Sequence, residues 1–199
     1  EPYRRQRQMC IRDSSKKLLT VTSDEERNKE RDYAIITLFL NCGLRLSELV
    51  GININDISFD DAKMTVIGKG NKERTIYFPD VVLDVLKTWF EFRQLNKNEI
   101  DAGFVFGRID NKLRLYLDTA LDPSSVSRII EKLVTETENL DSRLTPHDLR
   151  RTFATRLISK NVDIVEVQKL MGHASVATTG NYVRKDEENL RKAAEKAEL

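Results

Sequence analysis

The chain has 199 residues, enough for one well-cored domain, and its 40% apolar and 33% charged residues suit a globular protein. No apolar run reaches the roughly 18–20 residues of a membrane span, and the first residues show no secretory signal pattern. The 33 Lys and Arg against 32 Asp and Glu give a net charge of +1, which excludes a strongly basic protein but permits a basic face that binds nucleic acid.

The start of the chain differs from the remainder. Residues 1–15 have no apolar period that could bury one face, so we expect a non-native or disordered segment. The alternative is a basic arm that contacts phosphates. The native part then begins near residue 16, within what resembles the end of a helix, and this indicates a fragment. The two cysteines, Cys10 and Cys42, predict a cytoplasmic protein rather than a disulfide framework.

The first half of the chain predicts two helices and a hairpin. Apolar residues at helical spacing predict a helix over residues 30–42 that is capped by Gly43, and a short helix follows from Ser47. Two β-rich stretches, residues 63–67 and 74–78, flank a glycine-rich turn and predict a β-hairpin.

The second half predicts further helices. Thr145 and Pro146 are typical of a helix start, with Thr as the N-cap and Pro at the first helical position. An amphipathic helix is predicted over residues 80–95 and a short strand over residues 104–107. Three further helices are predicted over residues 123–139, 146–159 and 164–171, and a polar C-terminal helix over residues 186–199. We therefore expect an α+β fold that is mainly helical, with one small antiparallel sheet.

His147 and Arg150 are the first candidates for chemistry. They lie three residues apart, and therefore on one face of the predicted helix, opposite a stripe that contains Leu149 and Phe153. We expect both side chains to reach solvent or a ligand. The first turn of a helix favours anions, so this pair predicts a phosphate site, with an ordinary surface pair as the alternative.

Four more residues have a functional and a structural interpretation. Arg45 stands at a junction between helices, where a structural salt bridge with Glu48 is the alternative to a ligand contact. Lys69 lies at the predicted hairpin tip between two glycines, which allow close approach to a ligand. His173 follows a glycine, and Tyr182 comes nine residues later, in a setting where a tyrosine more often packs.

In this order and spacing, these residues resemble the tyrosine recombinases, or phage integrase family, and its Xer-like members most closely. The resemblance covers residue 16 to about residue 184. It is carried by Gly-Leu-Arg-Leu-Ser-Glu-Leu, Gly-Lys-Gly-Asn-Lys-Glu-Arg, His-Asp-Leu-Arg-Arg-Thr-Phe, Met-Gly-His-Ala-Ser and Thr-Thr-Gly-Asn-Tyr, which contain Arg45, Lys69, His147 with Arg150, His173 and Tyr182. It implies the tyrosine recombinase catalytic-domain fold over residues 16–199, with the N-terminal core-binding domain missing.

The resemblance implies site-specific DNA cleavage and rejoining without a metal or cofactor. Tyr182 would attack a phosphodiester and form a covalent 3′-phosphotyrosine link, while Arg45 and Arg150 stabilise the charge on the non-bridging oxygens. The resemblance also implies that His147 is the general base and that Lys69 donates a proton to the departing 5′-oxygen. It implies a supporting hydrogen bond from His173.

The implied partners are double-stranded DNA and further copies of the chain. Residues 186–199 carry a narrow stripe of Leu and Ala at helical spacing, which we expect to dock on the next protomer of a tetramer. Three alternatives are a type IB topoisomerase, a DNA-binding module without catalysis and a generic helical interaction domain.

Overall fold

The structure is a computed structural model that describes residues 26–68, 70–96, 103–110, 115–137 and 144–172. The chain divides into two units, Glu1–Phe153 and Ala154–Leu199, and each is considered by itself. Three predicted site residues, Lys69, His173 and Tyr182, lie outside the described residues, as does the predicted C-terminal helix. Within the described ranges, no helix has the length and apolar character needed to cross a membrane.

The described elements are mostly helices, with short antiparallel strands between them. In chain order they are α1 (Glu26–Cys42), α2 (Leu46–Gly51), a 3₁₀ turn (Ile54–Asp56), β1 (Ile57–Ser58), β2 (Lys63–Ile67), β3 (Glu73–Tyr77), α3 (Asp80–Asn96), β4 (Gly107–Ile109), β5 (Leu115–Ala120), α4 (Pro123–Glu136), α5 (Pro146–Ser159) and α6 (Ile164–Met171). This mainly helical α+β architecture confirms the predicted fold class.

Helix α1 forms the centre of the core. Its apolar positions at helical spacing are buried, among them Ile35 and Phe39, which have no exposed surface. Gly43 ends the helix with a φ of 59° and donates its N–H to the Phe39 carbonyl at 3.2 Å, as the sequence predicts. The helix begins at Glu26, four residues earlier than predicted. Its first turn is charged and has no apolar period, so the sequence pattern does not reveal this part of the helix.

Helix α3 packs beside α1 through a stripe that includes Val82, Leu86 and Trp89, none more than 1% exposed. The Trp89 indole N–H donates to the carbonyl of Val105 at 2.9 Å, which satisfies the polar atom of this buried ring. This bond ties α3 to the segment before β4.

The first sheet has the order β1-β2-β3 and is antiparallel throughout. Met64 and Val66 of β2 and Ile76 of β3 are buried, as expected for alternate residues that face a core. The register pairs Val66 with Arg74, so Arg74 and Ile76 lie on the same face of β3. The hairpin prediction is confirmed, with β3 starting one residue before the predicted position.

The second sheet, β4 with β5, is a correction to the expectation of a single sheet. The strand expected over residues 104–107 is reduced to a bridge between Phe104 and Asn53, and β4 begins only at Gly107. Strand β5 gives little sequence signal, because its first three residues are all half-buried and do not alternate between core and solvent.

Local caps define the later helices. The Asp122 carboxylate accepts the Ser124 N–H at 2.8 Å at the start of α4, which ends at Glu136, three residues before the predicted end. At the start of α5, the Thr145 N–H and hydroxyl donate to the Asp148 carboxylate at 3.0 and 2.6 Å. The predicted start of α5 is therefore confirmed.

In the second unit, α6 has the predicted bounds. The Asp163 side chain accepts the Val165 N–H at 2.7 Å and begins the helix. Gly172, at a φ of 60°, ends it, because the left-handed conformation that terminates a helix suits glycine.

Candidate active site

A buried carboxylate and three arginines form the centre of the candidate site. Glu48 of α2 is 2% exposed, and Arg45, Arg74 and Arg150 each place a guanidinium nitrogen within 4 Å of its carboxylate. We call these four residues the Glu48 cluster. They come from three separate segments of the chain, so only the folded structure brings all four together.

Arg45 precedes α2 and contacts both oxygens of Glu48. Its backbone N–H donates to Glu48 Oε2 at 2.7 Å, and its Nη1 donates to Oε1 at 2.7 Å. Its side chain is nevertheless 30% exposed. The structural salt bridge considered for Arg45 is therefore present, and the guanidinium also has surface that a ligand can reach.

Arg74 reaches the same carboxylate from β3. Its Nη2 donates to Glu48 Oε2 at 2.8 Å and its Nε donates to Oε1 at 3.4 Å. Two N–H groups of one guanidinium thus meet two oxygens of one carboxylate, which is the geometry in which arginine binds carboxylates most specifically. The side chain of Arg74 is 12% exposed.

Arg150 enters the cluster from α5. It is 4% exposed, donates through Nη1 to the carbonyl of Gly43, and lies 3.6 Å from Glu48 Oε2. Arg150 was expected to reach solvent or a ligand, and of the two it has almost no contact with solvent, because its guanidinium turns toward the segment between α1 and α2. His147, one helical turn earlier, is exposed as expected.

The charges of the cluster do not cancel. Three guanidiniums and one carboxylate leave two positive charges in excess, in a partly water-excluded place where electrostatic interactions are strong. Burial by itself raises the pKa of Glu48, but hydrogen bonds and charge from Arg74 and hydrogen bonds from Arg45 outweigh it and hold the pKa below its ordinary value. The carboxylate therefore stays charged, and the cluster as a whole attracts an anion.

Gly68 connects the hairpin to the cluster. A Cβ added at Gly68 would lie 3.4 Å from Glu48 Oε1 and 3.6 Å from Arg45 Nη1, so this backbone lies directly against the ion pairs. The Gly68 N–H also donates to the Lys72 carbonyl at 2.8 Å and closes the base of the hairpin turn. Lys69 is the next residue, and its own placement lies outside the described residues.

The structure thus brings together two of the six predicted site residues, Arg45 and Arg150, and places His147 on the helix that carries Arg150. Arg74 is not among the site residues predicted from the sequence. A signal was available in the sequence, because Arg74 is two residues before the apolar Ile76 on a predicted strand. Residues two apart on a strand lie on the same face, so Arg74 is expected on the inward face with Ile76.

No group of three or more His, Cys, Asp or Glu side chains among the described residues is arranged to hold a metal ion. The Glu48 cluster is dominated by guanidiniums, which are cations without acceptor atoms. Its donor set therefore suits a phosphate or carboxylate ligand rather than a cation.

Comparison with known proteins places this arrangement in a family. The phage integrase family model matches residues 11–189. The chain is 41% identical over 191 residues to tyrosine recombinase XerC of Caldanaerobacter subterraneus subsp. tengcongensis, a match that covers 94% of this chain and 50% of that protein. The chain thus spans about half the length of this curated relative.

Solved structures agree with the fold. A crystal structure of XerA recombinase superposes with a TM-score of 0.71 at 28% identity, covering 94% of this chain and 64% of that one. XerH site-specific recombinase bound to difH substrate, in a pre-cleavage complex, has the same fold, with a TM-score of 0.70 at 23% identity and coverage of 94% and 51%. The chain belongs to the phage integrase family, among the Xer-like tyrosine recombinases.

Proposed function

We propose that this chain is the catalytic domain of a site-specific recombinase that cleaves and rejoins double-stranded DNA. Tyr182 attacks a phosphodiester and forms a 3′-phosphotyrosine intermediate, and the released 5′-hydroxyl of a partner strand later reverses the step. The energy of the broken ester is kept in the covalent link, so no nucleotide cofactor is required. The name recombinase, carried by a relative 41% identical to this chain, supports DNA as the substrate.

The observation that carries the proposal is the pairing of Arg45 and Arg150 around Glu48. Arg150 donates to the Gly43 carbonyl, 107 residues away in the chain and two residues before Arg45. Phosphoryl transfer without a metal needs preorganised positive charge at the non-bridging oxygens, and fixed guanidiniums supply it. A cluster with excess positive charge, with an exposed histidine one helical turn before Arg150 in the same helix, meets that need.

The remaining roles follow from chemistry. A tyrosine hydroxyl has an ordinary pKa near 10, so it needs a base or a positive field to attack at neutral pH. His147 is exposed at the start of α5, and we assign it as that base. Lys69, which follows Gly68 in the sequence, is assigned as the donor of the proton to the departing 5′-oxygen. His173 adds a hydrogen bond to the phosphate.

The experiment compares the wild-type chain with Tyr182→Phe on a nicked duplex that traps the covalent product. We expect a protein–DNA band that resists SDS for the wild type and none for the variant, while both bind DNA equally in a gel-shift assay. A covalent band from Tyr182→Phe would refute the assignment. Relaxation of supercoils without exchange between two sites would favour a type IB topoisomerase instead.

The domain organisation is also a proposal. We assign residues 16–199 to the catalytic domain, and residues 1–15 remain predicted as non-native or disordered. In the full-length protein, a separate N-terminal domain grips the opposite side of the duplex, which is consistent with the 50% coverage of XerC. Because phosphate contacts dominate such binding, we expect its affinity to fall steeply with salt.

Assembly on DNA completes the proposal. The apolar stripe of residues 186–199 docks on a neighbouring protomer and couples the active sites of a tetramer. Deletion of residues 186–199 is expected to leave single-site binding intact and to reduce paired-site complexes on native gels. Unchanged paired-site assembly would show that the tail has no such role. Action in the cytoplasm stays a prediction.

A further inference from the structure

Glu48 is the element of the site that most needs explanation. Its side chain has no exposed surface, and a buried charge is costly unless several donors satisfy it. Arg45 alone supplies one bond to each oxygen. The carboxylate accepts hydrogen bonds that orient Arg45, and its own orientation needs a further donor.

Arg74 supplies that support. It donates to both Glu48 oxygens from a different element, the strand β3. Together with the two bonds from Arg45, which lies next to the same short helix, it holds the carboxylate plane from a second, distant segment of the chain. Its Nη2 takes Oε2, the oxygen that faces Arg150 at 3.6 Å.

The surroundings place Arg74 on the core side of the cluster. Burial raises the pKa of the Cys42 thiol to about 12, and the nearby charge of Arg74 opposes that rise. Cys42 is 2% exposed, and Arg74 shares the inward face of β3 with the buried Ile76. Arg74 is less than half as exposed as Arg45, with 12% against 30% of each side chain accessible, but Arg150 is more buried still at 4%. The distinguishing feature of Arg74 is therefore its two-point contact with Glu48 and not its burial.

We propose that Arg74 is a positioning residue for the cleavage step, which orients Arg45 and Arg150 through Glu48 and does not itself bind the phosphate. This inference rests on the proposed function for its effect on DNA. Its structural part, the link from Arg74 through Glu48 to Arg45, is testable without DNA.

Removal of Arg74 acts in a defined order. Glu48 loses two hydrogen bonds and a neighbouring cation, so the carboxylate takes up a proton more readily. A protonated or rotated Glu48 no longer accepts both Arg45 N–H groups in their present geometry. Misplacement of catalytic groups by about 1 Å costs on the order of 100-fold in rate, so we expect Arg74→Gln to slow cleavage by roughly 10- to 100-fold.

The decisive experiment is a double-mutant cycle of single-turnover cleavage with Arg74→Gln, Glu48→Gln and the double variant of the 199-residue chain. If Arg74 acts through Glu48, the double variant is no slower than Glu48→Gln alone. Multiplication of the two single effects would show that Arg74 contacts the DNA independently and would overturn the proposal. Arg74→Lys, which keeps the charge without the planar fork, is expected to recover only part of the rate.

A second readout separates positioning from direct phosphate contact. Loss of one phosphate contact lowers the slope of log affinity against log salt by about 0.9. Arg74→Gln is expected to leave this slope unchanged, whereas a decrease of that size would overturn the proposal. Arg128→Gln, at an exposed arginine of α4 whose described bonds go to Ser124, controls for general charge loss.

A third readout distinguishes failure of this inference from failure of the proposed function. NMR titration of the Glu48 carboxyl, without DNA, is expected to show a higher pKa in Arg74→Gln than in the wild type. An unchanged pKa would overturn the positioning role, even if the wild type cleaves DNA. If the wild type forms no covalent adduct, the proposed function fails, and this titration still decides whether Arg74 holds Glu48.

Discussion

Among the residues that the structure describes, two buried carboxylates have arginine partners, yet their pKa values move in opposite directions. Asp32 of α1 is 4% exposed and accepts from its neighbour Arg31 at 2.7 and 2.8 Å. Burial raises the pKa of Asp32, and the charge and hydrogen bond of Arg31 do not offset it. The pKa of Glu48 is lowered although its side chain is fully buried.

The geometry of the donors explains the difference. Both bonds described for Asp32 come from one guanidinium and end on a single oxygen, Oδ1. Glu48 receives donors on both oxygens, from Arg45 and Arg74, with Arg150 close by. A cation adjacent in the chain therefore does not offset the effect of burial on the pKa of Asp32, whereas donors that converge from distant segments outweigh that effect at Glu48. Such convergence is a stronger indication of a functional site than burial alone.

The largest expected effect separates the two carboxylates by activity. Glu48→Gln removes the charge that holds Arg45 and Arg74, and we expect cleavage of a nicked duplex to slow by about 100-fold. Asp32→Asn is the matched control, because it removes a buried carboxylate charge outside the cluster, and its rate should stay close to that of the wild type. Equal losses in single-turnover assays would contradict the functional distinction between the two sites.

The free energy of unfolding should also distinguish Glu48 from Asp32. Glu48→Gln leaves buried guanidiniums without their anion, and loss of one partner of a buried pair costs about 3–5 kcal/mol. Asp32→Asn should cost less at neutral pH, because burial already disfavours the charged form of Asp32. Free energies of unfolding from urea titrations measure both. A larger loss for Asp32→Asn would reverse the comparison.

The pH dependence of stability sharpens the same contrast. The folded pKa of Glu48 lies below its unfolded value near 4.5, so its stabilisation is present above that pH and is lost as pH falls through the folded pKa. The folded pKa of Asp32 lies above 3.8, so its contribution is present below 3.8 and is lost as pH rises through the folded pKa. Relative to the wild type, Glu48→Gln should therefore become less harmful in acid and Asp32→Asn more harmful. Parallel curves for the two variants would contradict the assigned directions.

The smallest expected effect is that of a chelator. If the guanidiniums of Arg45 and Arg150 supply the positive charge at the phosphate, EDTA should leave the cleavage rate unchanged. Loss of activity that returns on addition of magnesium would mean that the Glu48 cluster does not supply that charge.

Much of the fold follows from local sequence signals, and the centre of the site does not. Thr145 and Gly172 mark helix ends by capping chemistry that involves only near neighbours, so their helices are predicted closely. Strand β5 lacks alternation and was missed. The convergence on Glu48 joins Arg74, 26 residues away, and Arg150, 102 residues away, and no local periodicity encodes contacts at such separations.

Arg150 illustrates the same limit at one residue. Helical spacing correctly places it one turn from His147, but spacing describes where a side chain leaves the helix and not where its long flexible end goes. The carbonyl of the buried Gly43, which follows the last residue of α1, accepts its guanidinium N–H, so the end of the side chain lies inside the protein. The burial of Arg150 thus depends on a tertiary contact that helical spacing does not predict.

The central claim is that this cluster serves a tyrosine nucleophile that cleaves DNA. The most direct test is to trap the covalent product on a nicked duplex, digest the protein and identify the DNA-linked peptide by mass spectrometry. We expect the link to lie on Tyr182 and the attached DNA to end in a 3′-phosphate. A link to any other residue, a 5′-phosphate attachment or the absence of a covalent product would contradict it.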